Sequence, residues 1–188
     1  MRTAKHMKHY PQTAQEVKEL FFLIQPPRHI TSDVSVLKDD VHYLVGRELK
    51  DRFVKAHISL FKFSDTGLHM KHLIRFVEAR AAEFSPFNVF LKDFGAFYNG
   101  SKRSIYMDVV NKFYIQDVFE KLVKQGTSYT PHIPIATNLD EEDYWRCWPY
   151  LKSLHYGNQH FLCDRITVLA RSDAKWTHFK DIHFGGRP

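Results

Sequence analysis

The sequence points to an α+β fold built as two like halves, and three observations carry that expectation. Apolar spacing alternates between strand and helix periods along the chain, so that the order β-α-β-α-β occurs twice. A short segment, AHISL at 56–60, returns as PHIPI at 131–135, each time in a strand that follows a helix. One further strand then closes the chain, forming a hairpin with the last strand of the second unit. A length of 188 residues with 44% apolar and 15% aromatic side chains suits one domain, or two small lobes, with a substantial core.

The elements follow in order. ELFFLIQ (19–25) is a short apolar run stopped by Pro26-Pro27, which reads as a buried first strand. A helix with Ser32 or Asp33 as its N-cap follows, because Val34, Leu37, Val41, Leu44, Val45 and Leu49 share one helical face. Lys55–Phe63 alternates as a strand that places His57 and Ser59 on the same side. Residues 68–84 return to helical spacing, and after Pro86 the run FNVFL (87–91) reads as a strand. The second half begins with strand Ser104–Val110 and a helix near 114–124, closed by Gly126 as C-cap. Strand Tyr129–Ala136 comes next, then a helical stretch over 140–154 disturbed by Pro149. Strands Phe161–Ala170 and Trp176–Phe184, turning at Ser172-Asp173, complete the chain.

Composition narrows the function classes. Two cysteines, Cys147 and Cys163, are too few for a disulfide framework or a zinc cluster and imply free thiols in a reducing setting. The N-terminal MRTAKHMKHY is basic but lacks the apolar run of a signal peptide, and no stretch approaches the ~18 apolar residues of a membrane span. A soluble, cytoplasmic protein without a membrane partner is the expectation. The net charge of +6 biases the surface toward anionic partners such as RNA or nucleotides. No Gly-rich phosphate loop, nucleophile elbow, HExxH pair or RNP1 pattern is present.

The chemistry concentrates on the repeated segment. With 12 histidines in the chain a single one carries little weight, but His57 and His132 occupy corresponding places in the two halves. If a pseudo-two-fold axis relates the halves, the equivalent strands face one another and present both imidazoles to one cleft. Two imidazoles, each with an unperturbed pKa near 6.5, can divide proton transfer between a neutral base and a protonated acid.

These residues resemble the two-histidine phosphoesterases, also called the 2′-5′ RNA ligase-like superfamily, which carry one His-x-Ser/Thr-aliphatic motif in each lobe. The resemblance rests on HISL at 57–60, HIPI at 132–135, the strand and helix order around each, and the tail RITVLARSDAKWTHFKDIHF (165–184). It implies a single bilobal α+β domain over 1–188, with two pseudo-symmetric lobes of antiparallel sheet, helices outside and a central cleft. The motif strands would lie near 55–63 and 129–136. It also implies hydrolysis or transfer at a 2′,3′-cyclic phosphate or 2′-5′ phosphodiester of an RNA terminus or small nucleotide, with neither metal nor cofactor. One histidine would activate water or a 2′-hydroxyl and the other would protonate the leaving oxygen. Ser59 maps onto the family's phosphate-binding hydroxyl. The second motif departs from the pattern, since Pro134 offers neither a hydroxyl nor an N–H, so a non-catalytic RNA- or nucleotide-binding module is the alternative.

Further substrate-binding candidates follow from position. Lys55 precedes His57 on the same strand face, and Thr130 stands likewise before His132. Arg165 and Arg103 offer guanidinium forks suited to phosphate oxygens. Tyr98, Tyr129 and Trp176 have faces on which a base can stack, although in a chain so rich in aromatic residues core packing or chance exposure accounts for them better. His69 and His72 read as exposed helix positions rather than ligands. A monomer is expected, and the sequence does not fix the oligomeric state.

Overall fold

The computed structural model describes residues 19–65, 67–123, 127–172 and 175–186. The elements are β1 (Glu19–Ile24), α1 (Arg28–Val45), β2 (Ile58–Ser64), α2 (Gly67–Ala81), β3 (Phe87–Asn99) and β4 (Lys102–Val109). They continue with α3 (Lys112–Leu122), β5 (His132–Leu139), α4 (Glu141–Ser153), β6 (Gln159–Cys163), β7 (Arg165–Ser172) and β8 (Lys175–His183). The repeated β-α-β-α-β order is present, and β7 and β8 pair as the closing hairpin. The basic N-terminal segment, the C-cap expected at Gly126 and the turn residue Asp173 lie outside the described residues.

The strands form two four-stranded antiparallel sheets, in the orders β2-β1-β7-β8 and β5-β4-β3-β6. By place, β2 corresponds to β5 and β1 to β4, so both motif strands are sheet edges. The halves also exchange strands. β3, from the first half of the chain, pairs with β4 in the second sheet, and the closing hairpin completes the first.

Burial separates the two faces of the first sheet. Leu20, Phe22 and Ile24 of β1 join the apolar core under the helices, whereas the intervening Phe21 and Leu23 are buried outside that cluster, on the opposite, concave face. In α1 the buried Ile30, Val34, Leu37, Val41 and Val45 fall at the three- and four-residue spacing of one helical face. That helix packs on α4 and β5, where Tyr150 and Tyr156 donate to Asp40 and Asp33 at 2.7 and 2.8 Å. Arg47 pairs with Asp143 at the same junction.

The motif strands begin later than expected, at Ile58 and His132, which leaves Lys55 and Thr130 in the segments before them. Three larger differences from the sequence expectation have clear physical reasons. First, α1 opens at Arg28 with Pro27 as N-cap (φ −66°) rather than at Ser32 or Asp33, because the fixed φ of proline suits the entry to a helix. Asp33 instead bonds Tyr156, and Gly46, left-handed at φ 74°, closes the helix. Second, the run 161–170 is two strands in different sheets. Buried Phe161 and Cys163 follow one alternation and buried Ile166, Val168 and Ala170 the other, a slip of phase around Asp164.

Third, β3 runs well past FNVFL, because a bulge at Asp93 (φ 28°) and Gly95 belong to the strand rather than ending it. A Cβ on Gly95 would lie 2.4 Å from Cζ of Tyr106, so only glycine lets that ring cross the sheet there. In α4, Pro149 does not end the helix. The carbonyl it leaves without a donor belongs to Trp145, which is 57% exposed and open to water.

Candidate active site

His57 stands immediately before β2 and His132 opens β5. Both are half-buried, and both are held by the same local device. Nδ1 of His57 lies 2.8 Å from the carbonyl oxygen of Lys55, and Nδ1 of His132 lies 2.7 Å from that of Thr130. A carbonyl oxygen only accepts, so Nδ1 carries the proton in each ring, and Nε2 is the nitrogen left to exchange one.

Aromatic rings from the neighbouring strands fix each imidazole. Phe21 of β1 meets His57 edge-on at 5.3 Å, while Tyr106 of β4 and Phe97 of β3 meet His132 at 5.2 and 5.0 Å. His132 is among the groups that act electrostatically on His57. Burial lowers the pKa of His57 below the ordinary imidazole value, the bond to Lys55 opposes this, and Lys38, His132 and Lys62 add to the lowering. Burial likewise lowers His132, but there the Thr130 carbonyl and the carboxylate of Asp108 work upward and Lys112 downward. Asp108 faces His132 across the β4–β5 ladder and is paired with Lys112 at 2.7 Å.

A bulge in β2 decides what surrounds His57. The β1–β2 register jumps between Phe22↔Phe61 and Leu23↔Ser59, which leaves Leu60 as the extra residue. Ser59 therefore shares the concave face with Leu23, as alternation predicts, but Lys62 shares it with Phe21, against alternation. The Lys62 ammonium sits 4.9 Å over the Phe21 ring and 5.5 Å over that of Trp176. Sequence reading passes over Lys62 because strict period-2 counting assigns it to the other face. It passes over buried Lys38 as well. The Lys38 ammonium donates to the carbonyls of Asp51 and Val54 at 3.0 and 2.8 Å and so fastens the loop leading to His57.

The other candidates fall in several places. Lys55 and Thr130 lie beside the histidines, but their demonstrated contacts are through main-chain carbonyls. Ser59 offers its own carbonyl to the Tyr129 hydroxyl at 2.7 Å, a bond that crosses from one sheet edge to the other. Pro134 faces Tyr106 across the ladder. Arg165 lies on the concave side of the first sheet, 3.5 Å from Asp164 and 4.0 Å from Asp181, and lines a cavity of about 490 Å³ with Arg28, Thr167 and His178. Arg103 is taken up at the β3–β4 turn by the carbonyl of Gly100, at 2.8 Å, and lies over the Tyr98 ring, opposite the far end of β5. His69 and His72 are exposed on α2, the former 2.8 Å from Asp65.

The model of the 2′-5′ RNA ligase superfamily matches residues 26–175 of the chain. No curated protein sequence matches significantly. Among solved structures, TT0787 of Thermus thermophilus is 14% identical with a TM-score of 0.62, over 89% of this chain and 98% of that one. E. coli LigT, in its complex with 3′-AMP, is 17% identical with a TM-score of 0.62, over 90% and 98%. Kluyveromyces marxianus Usb1 is 11% identical with a TM-score of 0.50, over 87% and 98%. At these identities the likeness is one of fold.

Proposed function

Because the chain belongs to the 2′-5′ RNA ligase superfamily, we propose that it is a phosphoesterase in which His57 and His132 act as general base and general acid. The substrate is a 2′,3′-cyclic phosphate or a 2′-5′ phosphodiester of an RNA end or small nucleotide. The observation that carries this reading is the pair of imidazoles on meeting sheet edges, each with Nδ1 tied to a carbonyl and Nε2 left to exchange a proton. A nucleotide substrate is consistent with the 3′-AMP and ATP complexes of E. coli LigT.

The charges around the two rings support this division of roles. Lys38, Lys62 and His132 all disfavour a proton on His57, which suits a base. Asp108 favours one on His132, against burial and Lys112, which suits an acid. In hydrolysis of a cyclic phosphate, Nε2 of His57 takes a proton from water as the water oxygen bonds to phosphorus. The bond to one ribose oxygen breaks, and Nε2–H of His132 gives that oxygen its proton. The hydroxyl of Ser59 and the ammonium of Lys62, on the His57 face, take the charge that grows on the phosphoryl oxygens.

The test is turnover of 2′,3′-cyclic nucleotides and 2′-5′-linked dinucleotides with EDTA present, in the wild type and in His57→Ala and His132→Ala. Rates unchanged in both variants would contradict the assignment. Pro134 favours a second reading, in which the cleft binds RNA or a nucleotide without turning it over. That reading expects affinity without hydrolysis, in Pro134→Thr as in the wild type.

A further inference from the structure

Among the described residues both histidine strands are sheet edges, β2 of the first sheet and β5 of the second, and no ladder joins them. A base and an acid on separate sheets that act on one phosphodiester need their spacing held to a fraction of an ångström. One contact is placed to do this. Tyr129, just ahead of His132 in the chain, donates its hydroxyl at 2.7 Å to the carbonyl of Ser59, just beyond His57. β2 and β5 pack against each other at this point.

The tyrosine is itself fixed from two sides. Its ring stacks on Phe119 of α3 at 4.1 Å and an interplanar angle of 17°, and its own carbonyl accepts from Gln116 Nε2 at 3.1 Å. Helix α3 therefore holds the ring, the ring aims the hydroxyl, and the hydroxyl fastens the edge of the opposite sheet. The same short segment then passes through Thr130, whose carbonyl orients His132.

We infer that the Tyr129 hydroxyl is the positioning group that sets the separation of the His57 and His132 imidazoles. The inference deepens the acid/base reading above and rests on it for its kinetic consequence, while its geometric content stands without any turnover. Tyr129 touches no reacting atom and works through both histidine segments.

Tyr129→Phe keeps the stacked ring and removes only the donor. The groups acting on His57 are Lys38 from α1, Lys62 from β2 and His132 from β5, and those acting on His132 are Asp108 and Lys112. Imidazole titrations by NMR in the wild type, His132→Asn, Tyr129→Phe and the double variant isolate the interaction between the two rings. His132→Asn moves the His57 midpoint upward in the wild-type background, and by less than half as much in the Tyr129→Phe background. Equal shifts in the two backgrounds overturn the inference. Where the wild type hydrolyses a cyclic nucleotide, Tyr129→Phe lowers kcat by about 10–100-fold with KM nearly unchanged, and a raised KM at unaltered kcat overturns it too. Absence of turnover in the wild type defeats the phosphoesterase reading alone, and the titrations still decide this one.

Discussion

In the first half of the chain His57 stands among Lys38, Lys62 and the serine of an intact motif, and in the second half His132 stands opposite Asp108, itself paired with Lys112, with Pro134 in the serine's place. The backbone device is the same in both, a ring nitrogen bonded to the carbonyl two residues back on a sheet edge. The side chains around that device differ in sign of charge and in the groups they can offer an anion. The repeated segment thus accounts for where the imidazoles are, and in the proposed reading the differing side chains give them opposite tasks, with cations around the group that must be neutral and a carboxylate beside the group that must hold a proton.

The comparison breaks most visibly at the imidazoles themselves. His57→Ala and His132→Ala should each lower kcat by about 10²–10⁴-fold on a cyclic nucleotide, with a thermal midpoint close to the wild type. A large loss in one variant only would mean that the lobes do not share the reaction. Next comes the hydroxyl that one lobe kept. Ser59→Ala should cost about 10²-fold in kcat, and Pro134→Thr should raise the rate by restoring a donor to the second motif. Assays of both substitutions, singly and together, measure how far the first lobe carries the phosphate alone.

Much of this asymmetry is legible in the sequence and some of it is not. The repeated segment places His57 and His132 on equivalent strands because strand alternation and internal repetition are local properties, and Pro134 is visible by inspection. Lys62 is hidden because the bulge at Leu60 depends on how β2 pairs with β1, which no period-2 count contains. Lys38 is hidden because it lies on an otherwise apolar helix face and bonds main-chain carbonyls of a distant loop. The division of 161–170 between two sheets leaves a trace, the slip of alternation phase around Asp164, but choosing the partner strands requires the folded chain. The exchange of β3 into the second sheet is likewise a matter of long-range pairing.

The bulge gives a smaller test. Lys62→Met should raise KM by about fivefold, the scale of a solvent-exposed charge contact of about 1 kcal/mol, and should make substrate binding less sensitive to salt. Lys62→Arg should restore most of the affinity. An unchanged KM would remove Lys62 from the phosphate site and leave Ser59 as its contact in the first lobe.

The opposition of roles between the lobes is tested most directly by the pH dependence of kcat/KM on a 2′,3′-cyclic nucleotide, with EDTA, in the wild type and in each histidine variant. Both imidazoles titrate below the ordinary value of 6.5. Rising pH strips the acid form of His132, and falling pH protonates the base His57, so the wild type should give a bell with its maximum on the acid side of pH 6.5. The residual activity of His132→Ala should lose the alkaline limb, and that of His57→Ala the acid limb. Both limbs surviving in either variant, or the two limbs lost in the reverse order, would contradict the assignment of base and acid.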